Sequence, residues 1–256
     1  VRVNTTRVVV AVVDGFGRPR GWPVEIAGVA GGNGSLAVEL VEGGRYTARA
    51  SALGFTNATE FTAVGREVVI TLKIPTAVVK ARAVDGFGQP RDWPVEVAGA
   101  AGNGSVVAEV LAGRHVVKAY AFGKEFAKEV EVAPGREVEV EVKVPTARIT
   151  ARVIDGFGQP RDWPIEVVGV ARGSGAVGPV EVLAGNYTVR ATAFGREFVQ
   201  QTVVGVGQSA EVVVRVPTAR LSVAVVDDGG QPLDRYVAGV ELAGPLSLSF
   251  DKPPRD

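Results

Sequence analysis

"DGFGQPRDWP" occupies Asp85 to Pro94, and the same ten letters return at Asp155 to Pro164. A near copy, "DGFGRPRGWP", runs from Asp14 to Pro23, and an eroded one, "DDGGQPLDRY", from Asp227 to Tyr236. The leading aspartates recur every 70 to 72 residues, and the tripeptide "PTA" follows at Pro75, Pro145 and Pro217. A period of that length marks a tandem array. The expected division is 1–76, 77–146 and 147–218 for three complete repeats and 219–256 for an incomplete fourth. Each link is a Pro-led tripeptide, too short to act as a floppy tether.

Within a repeat the hydrophobic period is two. In "REVEVEVKVP", Val138, Val140, Val142 and Val144 alternate with Glu137, Glu139, Glu141 and Lys143. That pattern places one face in a core and the other in water, as in a half-buried strand. The opening strand repeats it, with Ile149, Ala151 and Val153 on one face and Arg148, Thr150 and Arg152 on the other. Gly, Asn and Pro punctuate the runs, and no stretch keeps a 3.6-residue stripe. Each repeat is therefore expected to be an all-β, Greek-key antiparallel sandwich, with Val10, Ala81 and Ala151 in matching buried slots.

The decapeptide begins where the first strand ends. Its aspartate and two glycines suit a turn with positive φ, the proline fixes the entry to the next strand, and Trp-Pro opens that strand. The leading reading is a turn with an aromatic lid over one end of the core. The other is a binding loop in which Trp22, Trp93 and Trp163 are spaced stacking platforms for sugar rings. "GFG" precedes a strand, so the helix N-terminus that holds a phosphate is missing.

In the third repeat, "ARVIDGFGQPRDWPIEVVG" (Ala151–Gly169), "PVEVLAGNYTVRATAFGREF" (Pro179–Phe198) and "AEVVVRVP" (Ala210–Pro217) follow one another. This order of signals resembles the carboxypeptidase regulatory-like, transthyretin-like sandwich domains, and it covers nearly the whole chain as three and a half copies. The resemblance implies an accessory, stalk or surface-array module, with no catalytic role. The family's "TD-x-x-G" stretch is replaced here by "GNGS" (Gly102–Ser105) and "GSGAVG" (Gly173–Gly178).

Composition excludes other classes. The 256 residues are 46% hydrophobic, and 28 basic residues balance 28 acidic ones without a charged block. No nucleic-acid partner is expected from such a balance. No apolar run approaches a membrane span, so none is expected to cross a bilayer. There is no Cys, hence no disulfide framework and no thiolate nucleophile or zinc site. There is also no Met, so Val1 is expected to follow a processing step or to begin a fragment, with a removed signal peptide as the natural candidate. Scarce Asn and Gln, no Met or Cys, and abundant Val, Glu and Arg fit a thermophile, and the family resemblance implies an archaeal cell-surface protein.

No enzyme activity and no cofactor are expected. His115, the one histidine, stands in the slot of Tyr46 and Tyr187 in the other repeats, which marks a packing or rim residue. No Ser-His-Asp set can be assembled around it. Asp14, Asp85 and Asp155 offer one carboxylate per turn, thin against the 6–8 oxygens calcium takes.

All five asparagines, Asn4, Asn33, Asn57, Asn103 and Asn186, stand in N-x-S/T. Their expected use is N-linked glycosylation, which places the protein outside the membrane, at a cell surface. For Asn33 and Asn103, "NGS" also reads simply as a good turn.

Two functions stay open. One is a glycosylated structural rod, filament subunit or surface-layer stalk that associates head to tail or with other surface proteins. The other is a carbohydrate-binding or adhesion module using the Trp loops. The short fourth repeat cannot close a sandwich alone. Either the parent chain continues, or an inter-subunit strand carrying Val1, Val3 and Thr5 of another copy completes it by strand addition.

Overall fold

The computed structural model describes residues 3–220 and, beyond them, residue 224 and the stretches 226–231, 239–242 and 248–251. The first repeat forms β1 (Thr5–Val13), β2 (Pro23–Ile26), β3 (Ala30–Asn33), β4 (Ser35–Val41), β5 (Arg45–Ala52), β6 (Phe55–Thr62) and β7 (Glu67–Lys73). The second forms β8 (Thr76–Val84), β9 (Pro94–Val97), β10 (Ala100–Asn103), β11 (Ser105–Leu111), β12 (Gly113–Ala121), β13 (Lys124–Val132) and β14 (Glu137–Lys143). The third forms β15 (Thr146–Ile154), β16 (Pro164–Val167), β17 (Ala171–Ser174), β18 (Ala176–Leu183), β19 (Gly185–Ala193), β20 (Arg196–Val204) and β21 (Ser209–Arg215). The described residues contain strands and turns and no helix.

Each repeat is a sandwich of a three-stranded sheet, in the order β4-β1-β7, and a four-stranded one, in the order β3-β2-β5-β6; the second and third repeats use the same orders. The folds are of the Ig-like and transthyretin-like kind expected. One pairing in each unit departs from antiparallel: β7 runs parallel to β1, with Val8 opposite Val68 and Val10 opposite Ile70. The chain reaches that position by crossing from the edge of the four-stranded sheet to the far side of β1, which a hairpin could not do.

Period-two alternation fills the cores. Val8, Val10 and Val12 are buried, as are Val79, Ala81 and Ala83, and Ile149, Ala151 and Val153. The predicted slots Val10, Ala81 and Ala151 therefore coincide. Each Val, Ile or Leu removed from water contributes about 1.5–3 kcal/mol, so the nine, nine and eleven such residues in the three buried clusters supply most of the driving force.

In the fourth repeat, a turn forms at Asp227, and β22 (Gly239–Leu242) pairs antiparallel with β23 (Leu248–Asp251). Leu221, Val223 and Val225, which alternate in sequence as Val8, Val10 and Val12 do, lie outside the described residues, as does Val1. Thr5 is the first residue of β1, opposite Val41, and so belongs to the first unit's own sheet. Of the residues expected in an inter-subunit strand, Thr5 is thus already paired within its own sheet, and Val3 is exposed and outside any strand.

Candidate functional site: the decapeptide as a joint between units

The aspartate of each decapeptide folds its own turn. Asp14 Oδ1 accepts the N–H groups of Phe16 and Arg18, both at 2.9 Å, and the Asp14 N–H donates to the Arg18 carbonyl. Asp85 and Asp155 repeat this with Phe87 and Gln89 and with Phe157 and Gln159. All three carboxylates are buried. Burial pushes the Asp14 and Asp155 carboxyls up, but N–H bonds from the turn and the Arg18 and Arg161 guanidiniums outweigh it, and both lie below the ordinary carboxylate range. With their oxygens turned toward these donors, the aspartates are poorly placed for calcium. Among the described residues no group of three or more His, Asp or Glu could hold a metal.

The two glycines divide the work. Gly17, Gly88 and Gly158 have φ near +80°, where a side chain is disfavoured. Gly15 and Gly86 are there for closeness instead. A Cβ on Gly15 would lie 1.8 Å from the carbonyl oxygen of Thr76, and one on Gly86 1.9 Å from that of Thr146. Thr76 and Thr146 begin the next unit. Their hydroxyls accept the Gly15 N–H at 3.1 Å and the Gly86 N–H at 2.8 Å, and both threonines are fully buried. On the next unit a second glycine meets the first: a Cβ on Gly135 would lie 2.4 Å from Gly15 O, and one on Gly207 2.5 Å from Gly86 O.

The arginine spans the joint. Arg20 lies 4.7 Å above the Trp22 ring and 3.4 Å from Asp14, and it pairs with Glu109 of the second unit. Arg91 lies 5.1 Å above Trp93 and 3.5 Å from Asp85, and pairs with Glu181 of the third unit. Arg148 of the third unit stacks on Phe87 of the second at 4.6 Å. Between the units only two residues separate β7 from β8. Ile74 N–H donates to Val13 O on one side, and Pro75 O accepts the Ala112 N–H on the other. Leu111 of the second unit also packs against the first core.

The tryptophans are neither buried nor free. Trp22, Trp93 and Trp163 are half-buried and pack against their own cores. Trp93 meets Phe122 edge-on at 6.0 Å, and Trp163 meets Phe194 at 5.5 Å. Both phenylalanines are exposed and have positive φ, 53° and 50°, in two-residue hairpin turns with Gly123 and Gly195. Asn or Gly is the usual choice there, and a bulky residue at such φ costs of order 1–3 kcal/mol. The sequence signal is "AFG" after an alternating strand, at Ala121–Gly123 and Ala193–Gly195; the first repeat has Leu53 instead.

His115 shares its role with tyrosine. Its Nε2–H donates to Leu111 O at 2.7 Å, as the Tyr187 hydroxyl donates to Leu183 O at 2.6 Å. It is the rim residue expected, tied to the backbone four residues earlier. Of the five asparagines, Asn4, Asn33, Asn103 and Asn186 are exposed; Asn57 is half-buried, and its Nδ2 donates to Lys73 O. Asn33 and Asn103 also precede Gly34 and Gly104, whose φ values of +77° and +74° belong to tight turns. The third unit builds that turn from Ser174 and Gly175, so the turn does not require asparagine.

No family model matches this chain, and no curated protein does. Among solved structures, the chain is similar to the Bacillus anthracis TIE protein, at 13% identity and a TM-score of 0.26 over 82% of this chain. It spans about half of that protein, 51%. A candidate adhesin from Bacteroides ovatus matches at 10% identity and a TM-score of 0.19, over 98% of this chain and 96% of its own. The N-terminal four Ig domains of Dscam1 match at 10% identity and a TM-score of 0.14, over 83% and 70%.

Two outcomes follow from the joint. Thr146→Val keeps the side-chain shape but leaves the buried Gly86 N–H without its acceptor, and should destabilise the second and third units by about 1–3 kcal/mol in chemical denaturation. Asp14 and Asp155 bind protons less readily folded than unfolded. Their contribution is therefore complete above the unfolded value near 3.8, and is lost as pH falls below it through the lower folded values. An acid titration followed by tryptophan fluorescence should show stability falling below about pH 4, less steeply in Asp14→Asn/Asp155→Asn.

Proposed function

We propose that this chain is an extracellular spacer, a stack of sandwich units held in fixed succession, in which the decapeptide is the coupling. The observation that carries this reading is the same contact set at two successive joints: glycine against threonine carbonyl, glycine N–H to threonine hydroxyl, and arginine to the next unit's glutamate. A flexible string of domains has no need of it, because linkers alone connect them. Interfaces between domains permit relative motion unless they are well packed, and here the backbones touch. Gly86→Ala should force the second joint apart. Small-angle scattering is then expected to show a stiff particle for the unmodified chain and a hinged one for the variant, with far-UV circular dichroism unchanged. A variant scattering like the unmodified chain would refute the coupling role.

Exposed Asn4, Asn33, Asn103 and Asn186 are proposed to carry N-linked glycans, in keeping with an extracellular surface coated for solubility. Asn57 is the least accessible of the five, since its amide is already bonded. The intact mass of protein made by its native host should exceed that of the bare polypeptide by several glycans.

A second reading, adhesion to polysaccharide, is supported by the paired rings of the second and third units. Trp93 and Phe122 form an aromatic edge beside Tyr120, Lys124 and Glu125, and Tyr120 donates to Glu96. Apolar ring faces next to charged hydrogen-bonding groups suit sugar rings, and strain held in an exposed turn points to use. Phe122→Asn/Phe194→Asn should relieve the turns and raise stability by about 1 kcal/mol while lowering retention in polysaccharide-containing affinity gels. Unchanged retention would remove this reading.

A further inference from the structure

Every joint has a donor half, the decapeptide turn, and an acceptor half, the opening end of the next unit. The acceptor of the third unit consists of Thr146, Arg148, Glu181 and Gly207. In the same register the first unit presents Thr5, Arg7, Glu39 and Gly65: Arg7 pairs with Glu39 and Glu67 along the sheet, as Arg148 pairs with Glu181 and Ser209. All four side-chain types are thus repeated. What differs is cover. Thr146 is fully buried and Thr5 exposed; a Cβ on Gly207 would strike Gly86 O, whereas one on Gly65 would meet nothing within 4 Å. Gly65 keeps the φ of its counterparts, +73° against +69° and +68°, and its carbonyl accepts the hydroxyl of buried Thr6 at 2.8 Å. Among the described residues, then, none is seated in the acceptor shape that the first unit holds.

The donor that would fit is defined equally closely. The turns at Asp14 and Asp85 are engaged, and the Gly156 N–H of the third donates to the Thr218 hydroxyl at 2.9 Å. The fourth turn folds correctly, since Asp227 Oδ1 accepts the Gly229 and Gln231 N–H groups at 2.9 and 2.8 Å. Yet Asp228 stands where the others have Gly15, Gly86 and Gly156, positions at which a Cβ would lie 1.8, 1.9 and 2.2 Å from the threonine carbonyl. In sequence, Leu233 and Arg235 replace the arginine and the tryptophan as well. A turn bearing Asp228 cannot approach an acceptor closely enough to seat.

We propose that the Thr5–Gly65 end of the first unit is an acceptor for one further repeat of this kind bearing an intact D-G-x-G-x-P-R turn, and that the fourth repeat is a stop that a second copy of this chain cannot use as donor. The proposal rests on the joint described above. Its recognition chemistry is the glycine N–H to the Thr5 hydroxyl, an aromatic ring under Arg7 and an arginine to Glu39. The added-repeat test places Ala77–Pro145 directly before Thr5 of the full chain, so that Pro145 is followed by Thr5 in place of Thr146. Hydrogen exchange reads each glycine N–H separately. The added copy's Gly86 N–H should exchange at least about tenfold more slowly than in a version where that copy alone carries Phe87→Ala and Arg91→Ala. Equal, fast exchange in both, with the internal Gly15 and Gly86 N–H groups protected, overturns this inference alone. Fast exchange at the internal glycines too would instead overturn the joint. For the stop, the unmodified chain should show no head-to-tail association in sedimentation, and association abolished by Gly65→Arg would overturn it.

Discussion

The structure depends on one steric constraint: a backbone carbonyl of each new unit sits where the β-carbon of the preceding turn would be. Gly15 against Thr76 and Gly86 against Thr146 leave room for hydrogen and nothing larger. Because the contact is backbone to backbone, its geometry does not depend on flexible side chains. The threonine hydroxyl then satisfies the N–H that so close an approach removes from water, and unpaired that group would cost about 1–3 kcal/mol. The rest of the decapeptide is arranged around this point. The aspartate shapes the turn, the second glycine supplies positive φ, and the proline bridges back to the first strand, as in Val13 with Pro19. The arginine, held between Asp and Trp, reaches the next unit's glutamate.

Sandwiches coupled in this way behave as a one-dimensional array, in which each unit has its own core and feels only its neighbours. The buried clusters are separate, bridged at the first joint by Leu111 packed against the first core, and the other joint contacts are mostly polar. Apolar association tolerates sliding and rotation, whereas here a glycine is seated under a carbonyl and an arginine meets one glutamate. Specificity has a cost in polar atoms. Glu109 Oε1 and Glu181 Oε1 are buried with no bonded partner, each on the carboxylate whose other oxygen meets the arginine.

Strand positions were legible in the sequence because the period-two signal is local. Val138, Val140 and Val142 declare their strand without reference to anything distant, and Ile149, Ala151 and Val153 do the same. Turn chemistry was legible too, through Asp-Gly and the repeat itself. The role of the first glycine was not, since Gly15 and Thr76 are 61 residues apart and only the folded chain brings them together. The parallel pairing of β7 with β1 is equally non-local. Thr5 was read as part of a spare strand because Val1, Val3 and Thr5 alternate, but pairing with Val41 claims it for the sheet. Phe122 and Phe194 were hidden by their neighbours: beside an alternating strand, an aromatic before glycine reads as one more apolar residue.

The three copies also show how one arginine is shared between two acids. In the first repeat Arg18 occupies Asp14 Oδ2 at 3.1 Å, so Arg20 can sit 3.4 Å away and still serve Glu109. In the second, Gln89 replaces that arginine, and Arg91, drawn to Glu181, stays 3.5 Å from Asp85, whose Oδ2 is left without a hydrogen bond. In the third, Arg161 turns fully to Asp155, with Nε at 2.9 Å and the guanidinium at 2.7 Å. Gln precedes the decapeptide's proline in both of these repeats, so what separates them is the partner across the joint: Arg91 meets Glu181, whereas among the described residues Arg161 meets only its own Asp155. Local charge satisfaction and the joint compete for the same side chain, so units with nearly identical decapeptides need not be coupled equally.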